Sequence, residues 1–120
     1  FFAPNHTYDM NTFKALKDLG IKNILDGYGL MPFKMNGINF IPQLFYRVIL
    51  LPFGIQSTQI HLNYWNDNDF KEFESFVIKN HKKIISFDQA LAKLTNNLIY
   101  SVLNFLIEVL LKFLRFFKGK

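Results

Sequence analysis

The segment from 98 to 117 constrains the fold of this chain more than any other feature. Fourteen of its twenty residues are Leu, Ile, Val or Phe. Its polar positions are Ser101, Asn104, Glu108, Lys112 and Arg115. On a helix, which turns about 100° per residue, these five positions fall within an arc of roughly 80°. Because a small domain can bury only one stripe of such a helix, we expect a continuous helix whose apolar side residues 1–90 do not cover.

Three arrangements would cover that apolar side: a membrane surface, self-association or packing against protein, and a transmembrane span. Fourteen apolar residues favour insertion by about 0.3–0.6 kcal/mol each, whereas Glu108 and Lys112 oppose it by about 2.5–3.5 kcal/mol each. The balance is near zero, so a span is not favoured. Residues 91–120 carry five Lys or Arg against one Glu, a net charge of +4. We therefore expect residues 98–117 to bind an anionic membrane surface, and the protein to be membrane-associated or in the cell envelope.

Composition excludes several other classes of protein. The chain has no cysteine, which excludes disulfides, thiolate metal sites and a cysteine nucleophile. Fifteen phenylalanines and a hydrophobic content of 50% exclude a disordered chain. The basic residues of the C-terminal segment lie among Leu, Ile and Phe, so we expect no nucleic-acid partner. The chain begins at Phe1 without an initiator methionine, and we interpret it as a piece of a longer protein.

Strand and helix signals alternate along residues 1–95, which favours parallel strands and an α/β fold. We expect strands at 1–3, 21–25, 57–64 and 83–86. Helices are expected from Asp9 or Asn11 to Leu19, at 69–80 and from Phe87, with a loop over most of 28–39. In the strand at 57–64, three polar residues alternate with apolar ones and so share one face, namely Gln59, His61 and Asn63.

Three polar residues lie at or near the ends of expected strands: His6, Asp26 and His61. Because the carboxyl ends of parallel strands meet at one edge of a sheet, we expect these three side chains to line one cleft. Each also has a structural interpretation. His61 could be a hydrogen-bonded structural histidine, His6 a solvated loop residue beside the helix cap Asp9, and Asp26 part of an ordinary Asp-Gly turn.

Several segments resemble a known family. FAPNHTYD at 2–9, NTF at 11–13 and ALKDLGI at 15–21 resemble the later half of a polysaccharide deacetylase domain, also called a NodB-homology or carbohydrate esterase domain. ILDG at 24–27 and TQIHL at 58–62 are similar to two of its later strands. Residues 67–91 resemble its closing helix, strand and helix. The resemblance covers about residues 1–92, with a divergent insertion at 28–52.

The resemblance implies a partial (β/α) barrel of the polysaccharide deacetylase type over residues 1–95, followed by a separate hydrophobic helix over 96–120. It also implies a fragment of a metal-dependent hydrolase that deacetylates N-acetyl sugars of a polysaccharide. In the family, one Asp and two His hold a divalent metal, often zinc, and a second Asp is the general base. Those motifs belong to the first half of the domain, which is absent here. This chain alone is therefore expected to hold no metal and to be inactive.

The resemblance also implies roles for individual residues. His61 would deliver a proton to the leaving amine, and Asp26 would be the carboxylate that holds it charged. Asn5, His6, Asp9 and Asn63 would contact the substrate. The chain departs from the family where Ala3 replaces an arginine, where Asn5-His6 replaces Pro-Tyr, and near Asp26, where a tryptophan is missing. The alternative is a catalytically inactive glycan-binding or membrane-tethered scaffold domain.

Overall fold

A computed structural model describes residues 1–3, 7–45 and 47–118. The helices are α1 (Met10–Asp18), α2 (Asp67–Asn80), α3 (Phe87–Leu91) and α4 (Leu98–Lys118), and the strands are β1 (Asn23–Leu25), β2 (Phe33–Met35) and β3 (Ile38–Ile41). Two short 3₁₀ helices cover Leu62–Tyr64 and His81–Lys83.

The sheet has β3 in its centre, parallel to β1 and antiparallel to β2. Ile24 of β1 and Phe33 of β2 both lie opposite Phe40 of β3. Asn36 and Gly37 connect β2 to β3 with φ angles of 50° and 78°. Two consecutive residues with positive φ are typical of the type I′ turn that joins a tight hairpin. The hairpin therefore places Phe33 and Phe40 side by side on one face of the sheet.

Phe40 is the centre of the hydrophobic core. Its side chain is fully buried, as are Ile24 and Ile38, and the buried side chains of Phe13 and Leu16 pack in the same cluster. The ring of Phe33 stacks on that of Phe40 with centroids 5.0 Å apart and planes only 6° from parallel. The rings of Phe13 and Tyr8 contact Phe40 at centroid distances of 6.2 and 5.8 Å. The core therefore joins α1 to the three strands through aromatic contacts.

Helix α1 begins at the cap that the sequence predicts. The carboxylate of Asp9 accepts a hydrogen bond from the main-chain N–H of Thr12 at 2.8 Å, and the Thr12 hydroxyl accepts one from the N–H of Asp9. This reciprocal pair satisfies two of the donors that a helix start leaves free. The helix ends at its C-cap Leu19, and Gly20 follows with a φ of +71°. Phe13 and Leu16 form its buried side.

The predicted (β/α) barrel is wrong. The described residues form a three-stranded mixed sheet with four α-helices, and no barrel. Residues 57–64 and 83–86 do not form strands. Each segment instead overlaps a 3₁₀ helix, at Leu62–Tyr64 and at His81–Lys83. Residues 57–64 pair with no strand of the sheet, and the segment approaches the chain after β3 through side chains at its start. Ser57 donates from Oγ to the carbonyl of Pro42, and Thr58 donates from Oγ1 to that of Phe45.

Two other predicted segments differ from the structure. Residues 1–3 form no strand, although the main-chain oxygen of Phe1 accepts a hydrogen bond from Leu25 at 3.0 Å. The expected loop at 28–39 instead contains β2 and the start of β3.

Helix α4 contacts the rest of the chain along one side. Its half-buried side chains are Tyr100, Leu103, Asn104, Ile107, Glu108 and Leu111. Oδ1 of Asn104 accepts a hydrogen bond from the main-chain N–H of Leu30 at 3.1 Å, and its side chain also contacts Gly29. Nine large apolar residues lie on the other side and are 47–76% exposed: Leu98, Ile99, Val102, Phe105, Leu106, Val109, Leu110, Phe113 and Leu114.

The expected exposure of the apolar side of α4 is therefore confirmed for those nine residues. We call them the outward face of α4. In the part of the chain that the structure describes, no helix combines the length and the apolar character that crossing a bilayer would require.

Candidate functional site

Asp26 lies at the C-terminal end of β1, where the sequence places it, and only 3% of it is exposed. Its main-chain N–H donates to the carbonyl of Ile41, and Oδ1 accepts from the N–H of Gly27 at 2.6 Å. The charge of the Asp26 carboxylate acts on the hydroxyl of Tyr8. Burial, and after it the charge of Asp26, raises the pKa of the Tyr8 hydroxyl to about 12, with smaller contributions from Tyr28 and Glu108. Asp26 is thus one of three groups, with Tyr28 and Glu108 of α4, whose charges act on the partly buried Tyr8 hydroxyl.

His61 lies elsewhere on the molecule. It precedes the 3₁₀ helix at Leu62–Tyr64, and its side chain is exposed. The imidazole packs edge-on against the ring of Tyr64, with centroids 6.2 Å apart. His61 lines a surface cleft, and Asp26 is not among the residues that line it. The structure therefore does not bring His61 and Asp26 together as an acid–carboxylate pair.

The cleft beside His61 has a volume of about 510 Å³ and combines aromatic, amide and charged side chains. Its polar and aromatic lining consists of Arg47, Gln59, His61, Tyr64, Trp65, Asp69 and Glu72, above an apolar floor that includes Phe73 and Phe76. We call this site the His61 cleft. Trp65 is fixed by its contacts with Phe70 and Phe73, whose ring centroids lie 5.2 and 5.3 Å away.

Local sequence explains why Trp65 is presented at this position. Asn66 caps α2 by accepting hydrogen bonds from the main-chain N–H groups of Asn68 and Asp69, and Asp69 accepts one from the N–H of Asn66. This capping box fixes the direction in which the chain enters the helix. Trp65 immediately precedes the cap, so its indole packs back on the first two turns of α2.

The other predicted substrate-binding residues do not join the cleft. Asn63 is exposed on the 3₁₀ helix and is not part of the cleft lining. Asp9 caps α1, and the N–H and hydroxyl of Thr12 lower the pKa of its carboxyl by hydrogen bonding. Its structural interpretation as a helix cap is therefore confirmed. Asn5 and His6 lie outside the described residues.

Sequence reasoning did not select Arg47, Trp65, Asp69 or Glu72, which line the His61 cleft. The signal that could have found them is the run Tyr64-Trp65, which holds the only tryptophan of the chain and precedes a strong helix cap. Aromatic side chains at the start of a helix present a large rigid surface next to polar groups, which is a common arrangement in ligand sites.

A metal centre is not formed by the residues described. Across 1–3, 7–45 and 47–118, no three His, Asp or Glu side chains come together in an arrangement that could hold an ion. The zinc or other divalent metal that the deacetylase resemblance implies belongs to the parent protein, and this inference stays a prediction.

Comparison with models of protein families, with curated proteins and with solved structures finds no match to this chain. The resemblance to the polysaccharide deacetylases therefore also stays a prediction. The described residues form a small domain with a three-stranded mixed sheet and four α-helices, one of which carries an exposed apolar face.

Proposed function

We propose that this chain is a membrane-surface-binding domain and that α4 lies along an anionic membrane with its outward face among the lipids. The observation that carries the proposal is the orientation of α4. Asn104 and Glu108 lie on the side of the helix that contacts the rest of the chain, whereas the nine residues of the outward face are 47–76% exposed. Solvent contact with so much apolar surface is unfavourable, by about 25 cal/mol for each Å².

The geometry of α4 suits an interface better than a span. Its 21 residues make a helix roughly 30 Å long, whose contact side is tied to Leu30 and whose outward face is apolar from Leu98 to Leu114. A helix held in this way can sink its free side into the boundary between headgroups and acyl chains while the domain stays in water. The net charge of +4 in residues 91–120 adds attraction to anionic headgroups.

Substituting apolar residues of the outward face by glutamate should weaken binding to anionic vesicles. Each of the variants Ile99→Glu and Leu106→Glu is expected to lower the partition coefficient about tenfold, because one buried aliphatic side chain is lost and a repelled charge is added. Co-sedimentation with vesicles that contain phosphatidylglycerol measures this. Added salt should also reduce binding, since the basic residues act through screened charges.

The matched control is Ile78→Glu on α2. Ile78 and Ile99 are each 67% exposed, so the two substitutions differ in place but not in chemistry. Ile78→Glu should bind as the unsubstituted chain does. The membrane proposal is wrong if the unsubstituted chain stays in the supernatant with anionic vesicles and, measured without vesicles, is an oligomer. In that case a second copy covers the outward face.

A second candidate function is glycan binding in the His61 cleft. The exposed ring of Tyr64 and the indole of Trp65 lie beside the amide of Gln59 and the carboxylates of Asp69 and Glu72. Aromatic faces pack on the C–H faces of sugar rings, and amides and carboxylates accept hydrogen bonds from sugar hydroxyls. This candidate agrees with the glycan partner that the family resemblance implies. It involves binding alone, since His61 and Asp26 do not share a cavity.

Trp65 provides a direct reporter for this candidate because it is the only tryptophan. Titration with an oligomer of N-acetylglucosamine should change the Trp65 emission. Tyr64→Ala should weaken binding about tenfold, because Tyr64 is 84% exposed and its loss removes a stacking surface without disturbing the core. Asn63→Ala, which alters an exposed neighbour outside the cleft, should leave the affinity unchanged. Emission that stays constant at saturating saccharide would remove the candidate.

A further inference from the structure

A second cavity adjoins the His61 cleft and shares six of its lining residues, Arg47 among them. It has a volume of about 590 Å³ and opens between Phe45, residues 47–60, one side of α2 and residues 83–85. Its apolar lining includes Val48, Ile49, Leu51, Ile55, Ile60, Phe73, Phe76, Val77, Ile84 and Ile85. The volume falls within the range of about 300–1,000 Å³ that is usual for small-molecule sites.

The uncharged polar side chains of this lining already bond to the main chain. Gln56 donates to the carbonyl of Gly29 and accepts from the N–H of Leu44. Ser57 and Thr58 donate to the carbonyls of Pro42 and Phe45, and Asn80 donates to that of Phe76. Because these groups are engaged, the wall that a ligand would meet is chiefly hydrocarbon. An apolar chain would therefore bury its surface there without stranding a polar group.

The charged side chains of the described lining are Arg47 and Lys83, which are both cationic and both exposed. Arg47 also lines the His61 cleft, together with the acidic residues Asp69 and Glu72. Lys83 lines the apolar cavity and not the His61 cleft. The cavity thus combines a hydrocarbon interior with positive charge at its solvent-exposed edge.

We infer that this cavity binds a long-chain fatty acid, with the acyl chain among Ile60, Phe76 and Val77 and the carboxylate near Lys83 and Arg47. An apolar cavity alone would accept many hydrophobic ligands. The two cations select a ligand that joins an apolar chain to a single anionic head. This inference does not depend on α4 or on membrane binding, since none of the described α4 side chains lines the cavity.

The test measures displacement of cis-parinaric acid, a fatty acid that fluoresces in apolar surroundings, from the full chain. All lipids are kept below their micelle-forming concentrations. Oleate should displace the probe at micromolar concentration. Oleyl alcohol, which has the same chain and no carboxylate, should bind about fivefold more weakly or worse. Equal affinities for the two, or no displacement by oleate, would overturn the inference.

Variants locate the site. Val77→Trp fills part of the cavity and should weaken oleate binding at least about tenfold. Lys83→Gln, at an exposed position that the fold tolerates, should weaken it about two- to fivefold and should leave oleyl alcohol unaffected. Circular dichroism checks that Val77→Trp is folded. If it is not folded, the oleate affinity of Lys83→Gln tests the location of the site.

Leu106→Glu is the control on α4, and it should not change oleate binding. Binding that is lost in Leu106→Glu and kept in Lys83→Gln would assign the fatty acid to the outward face of α4, and the cavity inference would be wrong. Vesicle binding and oleate binding are separate measurements on separate residues, so either can fail without the other.

Discussion

Phe40→Ala is expected to lower the free energy of unfolding by about 3–5 kcal/mol. A domain of this size is stable by about 5–15 kcal/mol in total, so this one substitution should remove a large share of its stability. The reason is the position of the ring. Phe40 is fully buried at the centre of β3, stacks on Phe33 and contacts Phe13 and Tyr8. Its loss leaves a cavity that three other aromatic rings cannot fill without moving out of their own contacts.

The control is Phe105→Ala, the same change at a residue of α4 that is 64% exposed. That variant should differ from the unsubstituted chain by less than about 0.5 kcal/mol. Urea unfolding followed by far-ultraviolet circular dichroism gives both values. Equal midpoints for the two variants would show that Phe40 is not the centre of the cooperative core.

Gly54→Ala should be the most damaging of the conservative backbone changes. Gly54 has a φ of +96°, which L side chains rarely adopt, and an added Cβ would lie 2.5 Å from the carbonyl oxygen of Leu30. That oxygen also accepts the hydrogen bond from the N–H of Ile55 at 2.7 Å. We expect a loss of about 2–4 kcal/mol, since the residue must both adopt a strained φ and displace a bonded carbonyl.

Gly20→Ala provides the matched comparison. Gly20 has a φ of +71°, but nothing lies within 4 Å of an added Cβ. Its substitution should cost only the conformational strain, about 1–2 kcal/mol. Thermal unfolding of the two variants measures the stability that each one loses. The difference between them gives the cost of the steric clash at Gly54 beyond the cost of backbone strain. If both lose the same stability, the close approach of the 54–55 segment to Leu30 does not contribute.

The helices could be predicted from the sequence because their signals are local. Asp9 caps α1, Gly20 follows its C-terminus, and α2 begins at Asp67, within two residues of the predicted start. Capping groups and the residues they satisfy lie within one helical turn, so a single sequence contains the whole interaction. The exposure of the apolar side of α4 could also be predicted from the sequence, because a small domain cannot cover so wide an apolar surface.

The sheet could not be predicted in the same way, because a strand exists only with its partner. The alternation around His61 is a strand pattern, yet the segment pairs with no strand of the sheet and Leu62–Tyr64 forms a 3₁₀ helix. The reverse error concerns residues 28–39, where the sequence predicts mostly loop but Asn36 and Gly37 form the turn of a hairpin. The errors in the predicted site come from the errors in the predicted sheet. Asp26 lies at the end of its strand as expected. His61 does not lie at the expected edge of the sheet, because the strand predicted to carry it does not form.

For the proposed membrane-binding function, the docking of α4 through Asn104 has a consequence for the speed of association. Amphipathic helices that fold back on their own domain usually hide the apolar side, so a slow opening must precede insertion. Here the N–H of Leu30 bonds to the opposite side of the helix, and the apolar side is already outside. Insertion then requires no conformational gate. Its rate should be set by encounter with the vesicle, and it should rise in proportion to lipid concentration without reaching a plateau.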